Sequence, residues 1–277
     1  MEHIQAVKDG AVGIITIDRR ERLNSLDVAT AQDFRKAGLQ YARDDAVRCV
    51  VIRGAGGVFS SGADLKYIRE RGDAHDFAYL QPDGVGPNQG FGESFKQILE
   101  YIHSTISEIK RAPKPFIAAV DGVAAAGGLG IAIACDLVFA SERSSFEWAY
   151  HKTGLTGAES STFFLPRLIG LRKALELVLL NPRLTAQEAC DLGLVNAVFP
   201  VDAFDNHVLE VARRLAAGPT RAYAVAKTLL NQAAGVDQLD YHLDAELQQL
   251  TRIADSPDFA EGLRAFFAKE APAFRGK

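Results

Sequence analysis

The chain has 277 residues, with 31 Lys and Arg against 35 Asp and Glu, a formal net charge of -4 and 48% hydrophobic residues. This is enough chain for one large domain or a core with a small appendage, and the balance is that of an ordinary soluble globular protein. With mild acidity and no long basic run, nothing points to a dedicated nucleic-acid or membrane-surface binder, and no run of about 18 apolar residues predicts a membrane helix.

In chain order, Ala11 to Ile17 is short and rich in Val and Ile, so it predicts a strand. A charged loop, Asp18-Arg19-Arg20-Glu21-Arg22, follows, and Asp27 caps a helix that runs to about Ala42. Cys49 to Ile52 is wholly apolar and mostly β-branched, the pattern of a buried strand, and Gly54, Gly56 and Gly57 break the chain after it. Gly72 to Gly92 reads as a long loop, a feature that in compact domains is often functional. Phe95, Leu99, Ile102, Ile106 and Ile109 recur at helical spacing and predict an amphipathic helix over about 93–111, stopped by Pro113 and Pro115. Phe116 to Val120 is a further buried strand. A Gly/Ala segment, an apolar helix ending near Cys135 and a strand over Leu137 to Ala140 come next. Beyond about Pro200 only helical patterns remain, near 203–217, 220–235, 238–254 and 257–269. The expected organisation is an α/β core over 1–200 and a helical region over 201–277. Cys49, Cys135 and Cys190 lack metal-ligand spacing and predict buried free thiols in a reducing compartment. With no charged-then-apolar leader at Met1-Glu2-His3-Ile4, the expected location is cytoplasmic.

Two segments carry the chemistry. Phe59-Ser60-Ser61-Gly62-Ala63-Asp64-Leu65 follows a buried strand, and glycine there allows close backbone approach to a ligand. Taken alone, it reads equally well as a tight turn into a capped helix. Asp121-Gly122-Val123-Ala124-Ala125-Ala126-Gly127-Gly128-Leu129-Gly130 runs from a strand into a helix. The start of a helix offers unpaired N–H groups and the positive end of its dipole, which suit a developing oxyanion. The bland alternative is close helix–strand packing through small residues.

Together, in this order and with the Pro-Lys-Pro-Phe lead-in, the two segments resemble the crotonase (enoyl-CoA hydratase/isomerase) superfamily. So do Arg22-Leu23-Asn24-Ser25-Leu26, Leu184-Thr185-Ala186-Gln187-Glu188-Ala189, Gly193-Leu194-Val195 and the ending Glu261 to Lys269. The resemblance spans nearly the whole chain. It implies a crotonase fold, an α/β spiral of β-β-α turns with a helical C-terminal region used in trimer contacts, and a homotrimer or dimer of trimers. It implies an acyl-coenzyme A substrate whose thioester oxygen is held by the amides of Ala63 and Gly127. The coenzyme A nucleotide would lie by Arg22, Leu23, Asp64 and Leu65, with Phe266 and Lys269 contributed by a neighbouring subunit's tail. No metal or redox cofactor is implied beyond coenzyme A as part of the substrate.

The catalytic positions depart from the family. The two glutamates that flank water in hydratases, a pair that general acid-base hydration needs, fall on Gly130 and Tyr150. The single acid of the isomerases, including the ring-expanding phenylacetate-pathway type, falls on Ala158, with Glu159 one position later. In the dehalogenase-like members that act on 4-chlorobenzoyl-CoA, the histidine falls on His103, the nucleophilic aspartate on Ala158 and the tryptophan on Tyr150. Trp148 stands two positions away from Tyr150.

Each candidate has a structural alternative. Glu159 also suits the N-terminus of a helix beginning near Ser160. His103 flanks an apolar stripe, and Tyr150 reads first as a pocket wall. Asp136 reads as structural, and His151 points away from Tyr150 if that segment is extended. The leading expectation is isomerase- or hydratase-like chemistry on an unsaturated acyl-CoA, with Glu159 moving a proton and His103 secondary. A carboxylate-nucleophile hydrolase or dehalogenase, with His103 activating water, is the second reading. An RNA-binding relative is disfavoured by the acidic balance, and a related peptidase by the lack of its Ser, His and Asp.

Overall fold

The computed structural model describes residues 1–73, 76 and 90–277. The loop expected from Gly72 to Gly92 therefore falls largely outside the described residues. β1 (Ile4–Asp9) pairs antiparallel with β2 (Val12–Ile17), with Ile4 opposite Ile17 and Asp9 opposite Val12. The sequence reading missed β1, because much of it is exposed and its polar residues hide the pattern. α1 (Val28–Arg43) begins where predicted: the Asp27 carboxylate accepts the Thr30 N–H at 2.8 Å, a cap worth about 1 kcal/mol. β3 (Cys49–Gly54), α2 (Leu65–Arg69) and α3 (Phe91–Arg111) follow.

The chain then alternates strands between two sheets. β4 (Phe116–Val120) and β5 (Val123–Ala125) lead into α4 (Gly127–Ala134), and β6 (Leu137–Ser141) and β7 (Ser145–Glu147) precede α5 (Ser161–Ile169). α6 (Leu171–Leu180), β8 (Leu184–Thr185), α7 (Ala186–Asp191) and β9 (Ala197–Phe199) complete this part. The first strand of each pair enters a sheet of order β1-β2-β3-β4-β6-β9, parallel from β2 onward. The second strand enters a smaller sheet, β5-β7-β8. This two-sheet rhythm is the expected β-β-α spiral.

The last helices are α8 (Phe204–Ala217), α9 (Thr220–Ala233), α10 (Leu239–Ala254) and α11 (Pro257–Ala268). They share their cores with the first 200 residues. Phe204, Val208 and Ala212 pack with Val12, Val51, Ile117 and Phe139. Leu243, Leu250, Phe259 and Leu263 join the larger cluster around Phe34, Ile52 and Ile102. Asp136 is structural, as read: it accepts the Phe116 N–H at 2.9 Å and pairs with Lys227 at 2.7 Å and Lys110 at 3.3 Å. Cys49 and Cys135 are buried free thiols, whereas Cys190 is only half-buried. Among the described residues no helix is long and apolar enough to cross a membrane.

Candidate active site

Two glycine-containing segments meet beside one cleft, which Ala63 and Ala126 line. Ala63 forms a parallel bridge with Leu26, but the bridge's hydrogen bonds belong to its neighbours: Leu26 N–H donates to the Gly62 carbonyl at 2.8 Å, and Asp64 N–H to the Leu26 carbonyl at 2.9 Å. In such a bridge the N–H of Ala63 points away from Leu26. Gly127 is the first residue of α4, where an amide has no partner one turn back. The segments approach closely. A Cβ on Gly62 (φ +88°) would lie 2.9 Å from the Gly127 nitrogen and 2.8 Å from the Ala126 Cβ. Ala126 itself takes the unusual φ of 47°, so the turn into α4 holds backbone strain where the amide is presented. Gly128 serves packing, because its Cβ would meet the Ser60 carbonyl at 2.2 Å. The packing reading of the glycine run thus holds at Gly128.

Glu159 lies beside these amides. Its side chain is turned inward and buried, at 2% exposure. A Cβ on Gly127 would meet its Oε1 at 2.8 Å, and one on Gly130 would meet its carbonyl at 2.4 Å. Glu159 (φ 49°) and Ser160 (φ 63°) are two consecutive left-handed residues. Ser160 is the residue before α5, and the Glu159 carboxylate bonds to Tyr150 rather than to the first turn of that helix. Tyr150 donates its hydroxyl to Glu159 Oε2, and reaches the Ala158 carbonyl at 3.3 Å. Burial pushes the Glu159 carboxyl up to about 8; the Tyr150 hydrogen bond opposes this, and the nearby Glu246 carboxylate adds to it. Burial and the facing Glu159 together hold the Tyr150 phenol well above its usual range. Tyr150 is thus both pocket wall and hydrogen-bond donor to the acid.

His103 is placed as its structural alternative has it. It does not line the cleft. It sits behind Glu159, where its Nε2 accepts the Glu159 backbone N–H at 3.2 Å. That bond occupies the lone pair a base would use and fixes the neutral ring with its proton on Nδ1. Burial holds its pKa down to about 3, which agrees with the geometry. A water-activating His103 facing substrate is therefore corrected to a buried histidine supporting the Glu159 turn. His151 lies in a short 3-10 turn over Tyr150–Thr153 rather than an extended segment, with Nδ1 3.1 Å from the Val178 carbonyl.

The sequence reading missed Glu246. It lies on α10, is 5% exposed, and reaches the same turn. Its Oε2 accepts the Ser160 N–H at 2.8 Å and its Oε1 the Thr162 N–H at 3.0 Å, and the Thr162 hydroxyl donates to Oε1 as well. Its residue type on a helix otherwise read only for apolar spacing was the one available signal.

The cleft measures about 490 Å³. Arg22, Leu23, Ala63, Asp64, Leu65 and Lys66 line one part of it, and Phe95, Tyr150, Leu155, Glu159, Leu250 and Phe267 also line it. Asp64 is committed structurally. Its carboxylate accepts the Lys66 and Tyr67 N–H groups at 2.9 and 3.1 Å and pairs with buried Arg19 at 2.8 Å. Arg19, read as part of a charged loop, is thereby buried, and it also pairs with Asp27 at 2.7 Å. Removing one partner of such a buried pair typically costs about 3–5 kcal/mol. Leu23 is exposed at φ 54°. In the tail, Phe266 and Phe267 line the cleft of their own chain, and Arg69 stacks on Phe267 at 3.7 Å. Lys269 lines an adjoining cleft of about 460 Å³ with His151, Lys152 and Phe266. Among the described residues no cluster of three His, Cys, Asp or Glu side chains is placed to hold a metal ion.

Comparison with known proteins agrees with this architecture. The family model described as enoyl-CoA hydratase/isomerase matches residues 7–84 and 89–277. The 1,2-epoxyphenylacetyl-CoA isomerase of Escherichia coli is 32% identical over 277 residues, 100% of each chain. The 4-chlorobenzoyl coenzyme A dehalogenase-2 of an Arthrobacter species is 32% identical over 268 residues, 97% of this chain and 91% of that one. The crystal structure of an enoyl-CoA hydratase from Mycobacterium avium subsp. paratuberculosis superposes with a TM-score of 0.84 at 33% identity, covering 99% of this chain and 98% of that one. With the spiral of paired strands and a family match over nearly its full length, the chain has the crotonase fold and belongs to the enoyl-CoA hydratase/isomerase family.

Proposed function

We propose that this protein isomerises an unsaturated acyl-CoA by moving a proton with one buried carboxyl, Glu159. The observation that carries the reading is the position of Glu159 Oε1 against Gly127, beside two unpaired amides. In this reading the N–H groups of Ala63 and Gly127 form an oxyanion hole for the thioester oxygen. Donors fixed in place before the reaction stabilise charge that develops in the transition state. The Glu159 carboxylate takes a proton from the carbon next to the thioester. The C–H electron pair moves into the thioester, giving a dienolate whose negative charge rests on the oxygen. Return of the same proton to the far end of the dienolate shifts the double bond by one position, with no net gain or loss of atoms. One acid that both takes and returns a proton works best with a pKa near the working pH, and the raised carboxyl of Glu159 suits this.

Hydration by the usual carboxylate pair has no support, since its positions are Gly130 and Tyr150. A carboxylate nucleophile at Ala158 is likewise absent. Phe95, Leu155, Leu250 and Phe267 favour a hydrocarbon or aryl acyl group over a charged one. The test is a substrate panel. Turnover is expected with 3-enoyl-CoA thioesters, giving the 2-enoyl isomer followed by ultraviolet absorbance. Hydration of crotonyl-CoA or hydrolysis of benzoyl-type thioesters, with no 3-enoyl turnover, would replace this reading.

The trimeric assembly is part of the same proposal. Leu171, Leu175 and Leu179 on α6 and Val225, Leu229 and Leu230 on α9 are exposed apolar side chains that an interface would cover. A monomer by light scattering at assay concentration would contradict it.

A further inference from the structure

The Glu159 turn has a second acid that the proposed chemistry does not use. Glu246 projects from α10, more than 80 residues later in the chain, and is buried at 5% exposure. Its two oxygens accept successive grips on the turn, the Ser160 N–H at 2.8 Å and the Thr162 N–H at 3.0 Å. The Ser160 amide joins the left-handed pair Glu159 and Ser160, and Thr162 lies two residues beyond it; this is a backbone conformation that non-glycine residues adopt at a cost unless their surroundings hold it. From α3, His103 grips the third amide of the turn, that of Glu159, and its Nε2 lies 3.8 Å from Glu246 Oε2.

We propose that Glu246 is a positioning residue for Glu159: it clamps the turn that aims Glu159 at Gly127, and as a second buried negative charge it makes Glu159 a stronger proton carrier. This rests on the reading of Glu159 as the acid that moves the proton. The charged and titratable groups around the pair limit what else can set its behaviour. The 3-10 turn contributes Tyr150, which donates to Glu159. α3 contributes His103, held neutral by burial. α10 contributes His242, 3.8 Å from Glu246 and bonded to Thr162 Oγ1 at 2.8 Å. α5 contributes Arg167, which acts on His242 and stacks on Phe163 at 3.6 Å. α4 presents Gly127 and Gly130, which carry no charge. No cation among the described groups pairs directly with Glu246 when the histidines are neutral. Its charge is thus felt by Glu159, consistent with the direction in which it acts there. Burial also pushes Glu246 itself up to about 7, so its influence is greatest above neutral pH.

The experiment needs no substrate for its decisive reading. Isotope-edited infrared spectroscopy of the full-length protein follows the protonated carboxyl of Glu159, assigned by its loss in Glu159→Gln. In Glu246→Gln, which keeps size but removes charge, the midpoint of that band is expected to fall by about one pH unit, a tenfold loss of proton affinity. An unchanged midpoint in folded Glu246→Gln would overturn the electrostatic role. Glu246→Asp keeps the charge but withdraws it from the amides. It is expected to keep the midpoint, lower kcat on 3-enoyl-CoA at least tenfold and leave KM near its parent value. Wild-type kcat in Glu246→Asp would overturn the clamp. If Glu246→Gln does not fold, Glu246→Asp decides: a midpoint that falls despite the retained charge also counts against the proposal. Full turnover in Glu159→Gln would sink the reading of Glu159 and this inference with it, whereas an unmoved midpoint in Glu246→Gln sinks this inference alone.

Discussion

Glu159→Gln lowers turnover of a 3-enoyl-CoA by about 10²–10⁴, the usual contribution of a general acid-base group, and leaves KM for the thioester nearly unchanged. The loss falls on kcat because Gln fills the same space between Gly127 and Tyr150 but carries no proton between carbons. Calorimetry with a non-reacting acyl-CoA separates the effects: retained affinity with lost turnover is the expected pair of results. The parent enzyme should gain activity as pH rises through about 8, because the carboxylate form starts the reaction. Stability should move the other way. The folded value near 8 lies above the ordinary 4.5, so the native state holds a proton that the unfolded chain gives up. The stability associated with that proton is full below about 4.5 and is lost as pH rises to about 8. Glu159→Gln removes this dependence and should melt higher than the parent at pH values above that window. A parent whose melting temperature is flat across the window would contradict the assignment.

Gly127→Pro should abolish most turnover without unfolding the protein. Proline is accepted at the first position of a helix, where its missing N–H has no intrahelical partner; the residue before a proline favours extended backbone, so Ala126, at φ 47° and ψ -118°, must shift to take it. What it deletes is the amide proposed to hold the thioester oxygen. Loss of one such donor typically costs about 10²–10³ in rate. Its ring also brings carbon to the place where a Cβ meets Glu159 Oε1 at 2.8 Å. Gly127→Ala separates the two effects: it keeps the N–H but pushes the carboxyl. A smaller loss in alanine than in proline, measured as kcat with circular dichroism unchanged, is the expected order. Near-normal turnover of folded Gly127→Pro would show that this amide contacts no reacting oxygen.

Local signals made much of the architecture legible. The β-branched run at Cys49, the Asp27 cap and the apolar stripe from Phe95 to Ile109 each point to an element by their own chemistry, and each element is there. β1 was hidden because an exposed edge strand has no apolar alternation to read. At the site, the glycine segments were legible because close backbone approach has few sequence solutions. The surroundings of Glu159 were not. The grip of Glu246 spans 86 residues and that of His103 spans 56, and no local pattern reports contacts made across the core. Arg19 illustrates the same limit: its charged neighbours suggested solvent, while its partner Asp64 lies 45 residues away.

The glycine at position 130 has a bearing on descent. A Cβ there would fall 2.4 Å from the Glu159 carbonyl and 2.8 Å from the Glu159 Cβ. The turn that carries this acid therefore occupies the room that a hydratase-type carboxylate at Gly130 would need. The two arrangements are rival tenants of one volume. A lineage passing between them by single substitutions must cross an intermediate in which either the turn is displaced or both acids are missing.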